Sequence, residues 1–259
     1  MTVATPREPT FPAEVAAILD HLTAGLTRTG LVDGLYLYGS LTTGDYSPAR
    51  SDIDLVAVTV GAELRKPDLG RLRAVHEDVA DAGGPAERLN CLYARAGTLR
   101  DAERLRPYWY GDHLTEWHLK KMTVAELRHA GRPLHGPWPP AGLGVVPLDE
   151  LQAAVRAELA GYWRGKAWRR HIWLEDVWVD FGLVTLSRAA ALLRDRELIT
   201  KSQAIGRLGD LGVPADLADE IRRRRAGDDV EISAPARTVR AQLARRIMID
   251  GIRTLAGED

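Results

Sequence analysis

Residues 35–59 read LYLYGSLTTGDYSPARSDIDLVAVT, and the fold turns on how this stretch divides. Leu35, Tyr36, Leu37 and Tyr38 have strand composition, and so do Ile53, Leu55, Val56 and Val58. Between them Gly39, Gly44, Ser47 and Pro48 forbid one continuous element. The expected order is strand, phosphate-sized turn, strand. At Gly39-Ser40 the missing β-carbon lets backbone amides and a hydroxyl approach an anion closely. Asp52 and Asp54 lie two apart, so on a strand both carboxylates share one face while Ile53 points to the core. Such a pair suits Mg²⁺, a hard cation that takes oxygen ligands and is completed by substrate phosphates. The plainer alternative is that the two aspartates only cap a strand entrance.

Taken whole, GSLTTGDYSPARSDID resembles the signature of the DNA polymerase β-like nucleotidyltransferases. Its details are most similar to the aminoglycoside adenylyltransferases that modify streptomycin and spectinomycin. The resemblance implies that Gly39, Ser40 and Ser51 hold a nucleotide triphosphate and that Asp52 and Asp54 hold magnesium. It also implies an α+β fold: an N-terminal nucleotidyltransferase domain, a mixed sheet with helices, followed by an all-α helical-bundle domain.

Composition sets outer limits. The chain has 259 residues, 45% hydrophobic and 27% charged, enough for one large domain or two modest ones. A net charge of −1 argues against a nucleic-acid binder that works through bulk electrostatics, while leaving room for a local basic patch. The single cysteine, Cys91, excludes an internal disulfide and a multi-cysteine zinc site. No signal-like segment opens the chain and no apolar run nears the ~20 residues of a membrane helix, so a cytoplasmic protein without membrane contact is expected.

Helical spacing of Val15, Ile18, Leu19, Leu22 and Leu26 predicts a helix from Pro12 to about Thr29, after a frayed opening MTVATPREPT. Leu69, Leu72, Val75 and Val79 predict another, ended by Gly83-Gly84-Pro85. A third strand, ERLNCLYA, is expected to begin near Glu87 or Arg88. In the resembling family this strand carries a third carboxylate that deprotonates the attacking hydroxyl or helps bind metal, and the alignment puts Asn90 there. An amide has no useful basicity near neutral pH. Three explanations stand: Glu87 supplies the carboxylate from a bulge or fray, the natural protein is slow or silent, or a deliberate acid-to-amide change was made to trap substrates.

Residues 97–130 read as a lid over the core edge, with Trp117 packed, or alternatively with Glu116 and Trp117 lining an acceptor cleft. His113 and His118 lack metal-ligand spacing. The proline- and glycine-rich residues 137–147 are the expected linker between a domain at 1–140 and a helical domain at 148–259. Within the latter, VTLSRAAALLRDRELITKSQA resembles the family segment that sends an Arg and a Lys to the triphosphate, here Arg188 and Lys201. WLEDVWVD supplies Trp173, Glu175, Asp176 and Asp180 where the family has acidic and aromatic contacts to a cationic acceptor; the alternative is buried tryptophans and solvated acids. Arg222 to Arg225 read as a solvated helix end beside Asp216, Asp219 and Glu220.

The resemblance therefore implies AMP transfer from Mg·ATP to a hydroxyl of an aminoglycoside or aminocyclitol, with ATP as co-substrate, by a monomer with no nucleic-acid partner. Rival expectations are a nucleotidyltransferase acting on a protein or tRNA, which would present a basic docking surface, and a nucleotide or drug binder without turnover.

Overall fold

Alternation of apolar side chains makes neighbouring strands of the two runs in 35–59, and the rest of the first half builds on them. The computed structural model describes residues 11–61, 63–102 and 104–257, so the opening segment MTVATPREPT lies outside the described residues. The chain divides into two units: one formed by the residues up to 46 together with 51–146, the other by Ser47–Arg50 and 147 onward.

In the first unit, α1 (Ala13–Arg28) leads into β1 (Val32–Tyr38), a one-turn helix α2 (Ser40–Thr43), β2 (Ile53–Thr59), α3 (Lys66–Ala80), β3 (Leu89–Arg95), β4 (Leu105–Tyr110), β5 (His113–His118), α4 (Lys121–Ala130) and β6 (Arg132–His135). The six strands form one sheet in the order β5-β4-β3-β2-β1-β6. Only β2 and β3 run parallel, because α3 returns the chain between them; the other neighbours are antiparallel.

Period two sorts the side chains. Leu35, Leu37, Ile53, Leu55, Cys91 and Trp109 face the core that α1 and α3 cover. Tyr36, Val56, Val58, Leu92 and Ala94 face the opposite core, which Val124 and Leu127 of α4 close. On that second face, the end of the sheet where β1 finishes and β2 and β3 begin carries polar side chains.

Two expectations are corrected here. Residues 97–130 are not a lid: most of them form the hairpin β4–β5 and helix α4, and Trp117 on the outermost strand is 50% exposed and not packed. The third strand starts at Leu89, which leaves Glu87 in a 3-10 turn (Gly84–Arg88). The division between the units falls after Val146, inside the expected linker 137–147, and residues 137–146 pack on the first unit. The Tyr36 hydroxyl donates to Pro137 O at 2.9 Å, Gly97 N donates to Ala141 O, and Leu143 is buried in the second core.

The second unit is helical: α5 (Leu148–Glu158) runs through a π turn into α6 (Arg164–Trp168), followed by α7 (Asp176–Ala190), α8 (Lys201–Gly206), α9 (Ala215–Ala226) and α10 (Ala234–Ala256). Trp163, Trp173, Leu183 and Met248 fill its centre. Gly182 on α7 admits the Trp173 ring, since a β-carbon there would lie 2.8 Å from it. No described helix is long and apolar enough to cross a membrane.

Candidate active site

At the polar end of the sheet, β1 stops at Tyr38 and the chain turns through Gly39. This glycine has φ +77°, and a β-carbon on it would come within 2.9 Å of Asp54 Oδ2. The backbone of the Gly39-Ser40 turn is thus pressed against a carboxylate. Thr42 closes the turn, its hydroxyl donating to Gly39 O at 2.9 Å.

Asp54 is the second residue of β2, facing Tyr38 on β1 and Asn90 on β3 in the ladder. Asp52 stands just before the strand, two residues earlier, and both aspartates keep partial exposure. Their neighbour Ser51 is only 2% exposed, and its carbonyl accepts from Arg88 Nε at 3.1 Å, which ties the start of β2 to the turn preceding β3. Asn90 is 5% exposed and donates from Nδ2 to Asp54 Oδ1 at 3.3 Å.

The register answers one of the questions raised by the sequence. Position 90, not 87, lies beside the aspartates. Glu87 is exposed in its turn, with Oε1 about the Gly83 backbone, 4.0 Å from where a β-carbon would sit there. As a substitute carboxylate Glu87 is therefore set aside. Glu116 and Trp117 are both exposed on the outermost strand.

Three tyrosines complete this corner, and the sequence reading missed them. Tyr38 pairs across from Asp54, Tyr110 across from Asn90, and the rings of Tyr108 and Tyr110 stack with centroids 5.9 Å apart. Burial, and after it the Asp54 charge, hold the Tyr38 and Tyr108 hydroxyls well above the ordinary phenol range; Asp52 adds to the effect on Tyr108. These phenols stay protonated beside the carboxylates. The alternation Tyr-Trp-Tyr at 108–110, with only Trp109 buried, was the available signal. On the other face burial pushes the Cys91 thiol up to about 12, so it remains an inert core group.

Do these residues fit a divalent ion? Among the described residues no group of three or more His, Cys, Asp or Glu side chains is placed to hold a metal. Two carboxylates with a glycine backbone pressed against one of them are nonetheless the protein share of a typical Mg²⁺ site, in which substrate phosphates and water supply the rest. The donor set fits.

In the second unit, Arg188, Lys201, Asp176 and Asp180 all line one cavity of about 350 Å³, so the two cations expected to act together do share a space. Arg188 Nε donates to Ile199 O at 2.9 Å, and Ser187 next to it donates to Ala204 O, which fixes α7 against α8. Lys201 opens α8 behind a capping box formed by Thr200 and Gln203.

Asp176 and Asp180, expected at the acceptor, line this cavity while engaged by arginines. Both Asp180 oxygens accept from Arg224, at 2.7 and 2.9 Å, and Asp176 Oδ1 accepts from Arg237 and Arg240. Glu220 joins Arg224 to Arg240. Burial opposes ionisation of Asp176, yet the Arg240 hydrogen bond and the surrounding guanidiniums outweigh it and lower its carboxyl below the usual range. Burial pushes Asp180 the other way, but a two-point fork onto a guanidinium that is itself held charged fixes this pair as ions. Trp173 is fully buried, its Nε1 donating to Lys166 O, so it packs the core and offers no face to a ligand. Glu175 precedes α7 and is exposed, with no side-chain capping hydrogen bond. Nor is the 222–225 run wholly solvated, because Arg224 is buried in the ion network.

Residues 22–96, which include the glycine turn and the paired aspartates of the polar sheet end, match the family model described as a nucleotidyltransferase domain. The particular likeness is to the crystal structure of spectinomycin adenyltransferase AAD(9) from Enterococcus faecialis with ATP and spectinomycin. It aligns with a TM-score of 0.61 over 91% of this chain and 97% of that one, at 13% identity. The two chains thus share a fold. No curated protein sequence matches the chain.

Proposed function

We propose that the protein transfers AMP from Mg·ATP to a hydroxyl of an aminoglycoside or aminocyclitol, releasing pyrophosphate. The observation that carries this reading is the corner formed by Gly39, Asp52, Asp54 and position 90 at one end of the sheet. The AAD(9) structure, which has the same fold and holds ATP and spectinomycin, supports the choice of nucleotide and acceptor class.

Asp52 and Asp54 would hold Mg²⁺, which when bound supplies charge neutralisation at the phosphates. Gly39 and Ser40 would bring backbone and hydroxyl donors to the triphosphate, with Ser51 holding the start of β2. Arg188 and Lys201 would bind phosphate oxygens, Arg188 as a planar fork and Lys201 as a compact charge. In the transfer the acceptor oxygen bonds to the α-phosphorus, the bond to the bridging oxygen breaks, and pyrophosphate leaves with the electron pair. Most of the acceleration would come from positioning and charge stabilisation.

Asn90 shapes the outcome. Its amide donates to Asp54 and cannot take the acceptor's proton, so that proton would pass to solvent and turnover would be slow. The same residue favours a second reading, a nucleotide and drug binder with little or no turnover. Mg·ATP is incubated with streptomycin, spectinomycin and other aminoglycosides, and pyrophosphate release and mass of the drug are followed. Drug-dependent pyrophosphate with an AMP-modified drug supports the transferase. Binding of both ligands without pyrophosphate supports the second reading, and no ATP binding contradicts both.

A further inference from the structure

Away from the cavity that holds Arg188 and Lys201, the second unit has another concave region whose chemistry the transfer reaction leaves unused. Two hollows of about 600 and 270 Å³ share Ile249 of α10. Their walls carry Arg164 and Arg170 from the α6 side and Arg245, Arg246 and Arg253 from α10, with His171 beside them and a single acid, Asp250. Positions 246, 249, 250 and 253 recur at helical spacing and form one face of α10, while Ala241, Ala244, Met248 and Ile252 bury the other.

Three other arginines of this unit behave differently. Arg224, Arg237 and Arg240 are neutralised by Asp176, Asp180 and Glu220. Among the described residues, Arg170, Arg245, Arg246 and Arg253 form no ion pair with a carboxylate. A helix side with Asp250 against Arg245, Arg246 and Arg253 keeps a net positive potential instead of cancelling it.

The second element is Trp168, 63% exposed in the middle of these charges. Arg245 lies over its ring, 5.8 Å from the centroid, and is tethered by a 2.7 Å hydrogen bond from Nε to Ala167 O. One guanidinium is thereby pre-ordered beside an open aromatic face. An acidic peptide would use the charges and leave the indole unused. A strand of phosphodiesters with unstacked bases uses both, since phosphates pair with the arginines and a base stacks on the ring.

We propose that this groove of α6 and α10 binds single-stranded nucleic acid, over a few nucleotides and without sequence preference. Phosphates lie along Arg170, Arg246 and Arg253, and one base lies on Trp168 beside Arg245. The chain's net charge of −1 does not oppose this, because these walls hold five arginines against one acid.

The test is fluorescence anisotropy of a labelled twelve-nucleotide oligo(dT) and its oligo(U) counterpart with the full chain, at 50 to 300 mM salt, with heparin and poly-glutamate as base-free competitors. With three or four phosphates neutralised, log affinity is expected to fall with log salt at a slope of about −2 to −3. Trp168→Ala should weaken oligonucleotide binding about tenfold and leave heparin binding unchanged. The pair Arg246→Glu with Arg253→Glu should weaken both more than tenfold. Mg·ATP binding, read by calorimetry on the same preparations, should be unaffected, and saturating Mg·ATP should not displace the oligonucleotide. No oligonucleotide binding at 50 mM salt overturns the proposal. So does an affinity indifferent to Trp168→Ala, which would mean a plain polyanion patch, tighter binding of poly-glutamate than of oligonucleotide, or displacement by ATP, which would place the oligonucleotide in the other cavity.

Discussion

Asn90 donates its side-chain N–H to Asp54 Oδ1 over 3.3 Å from the position directly beside it in the parallel β2–β3 ladder. An amide there relieves a repulsion that a carboxylate would create. Asn90→Asp, which keeps the shape, is expected to lower the melting temperature in EDTA by about 2–8 °C and to recover on adding Mg²⁺. It should also raise AMP transfer by at least about a hundredfold if a base belongs at this position. An unchanged melting temperature with no gain in turnover would count against the role assigned to position 90.

Gly39 holds φ +77° with Asp54 Oδ2 where a side chain would go. Gly39→Ala should push the carboxylate aside, lowering Mg·ATP affinity at least tenfold by calorimetry, with a stability loss of about 1–3 kcal/mol and an unchanged far-ultraviolet spectrum. Wild-type affinity in a folded variant would mean the turn does not meet the nucleotide.

The fork between Asp180 and the buried Arg224 is structural in character. Asp180→Ala should cost about 3–5 kcal/mol in urea unfolding, because it strands a buried guanidinium, and the double change Asp180→Leu with Arg224→Met should recover much of that. A full loss of acceptor binding at wild-type stability would return Asp180 to the acceptor cleft.

His76 stacks on Trp109 with centroids 4.6 Å apart, shares a 2.5 Å hydrogen bond with the Tyr93 hydroxyl, and is lowered by burial to about 3. Between pH 6.5 and 3 the unfolded chain takes up a proton that the folded chain refuses. The stability from the neutral ring is therefore complete above about pH 6.5 and declines as the pH falls toward 3, by roughly 4 to 5 kcal/mol at most. Unfolding midpoints at pH 7, 5 and 4 should show this decline in the wild type and a flatter profile in His76→Phe; parallel profiles would assign the acid sensitivity to other groups.

Much of the fold was legible because local rules and tertiary demands coincide in it. The strand–turn–strand of 35–59 combines period-two apolar residues with turn formers, and the helices at 13–28 and 66–80 show their buried faces as spacing. The hairpin β4–β5 was missed because its outer strand is exposed along most of its length, so no alternation marks it. Residues 137–146 looked like a linker from their prolines, yet prolines also suit an extended segment laid across a core, as Tyr36 and Leu143 show. At the site, the aspartates and position 90 followed from motif and register. The ion partners of the acids at 176 and 180 were not legible because Arg224, Arg237 and Arg240 lie some 44 to 64 positions along the chain, and local sequence carries no trace of such pairing. Net charge likewise concealed a groove whose charges are sorted in space, not in number.

The central claim, that Asp52 and Asp54 hold a divalent ion against a polyphosphate, is met most directly by calorimetry of ATP with the wild type and Asp54→Asn, each with Mg²⁺ and with EDTA. The account predicts wild-type binding that requires Mg²⁺ and is at least tenfold weaker in Asp54→Asn. Equal affinity in all four titrations would contradict it.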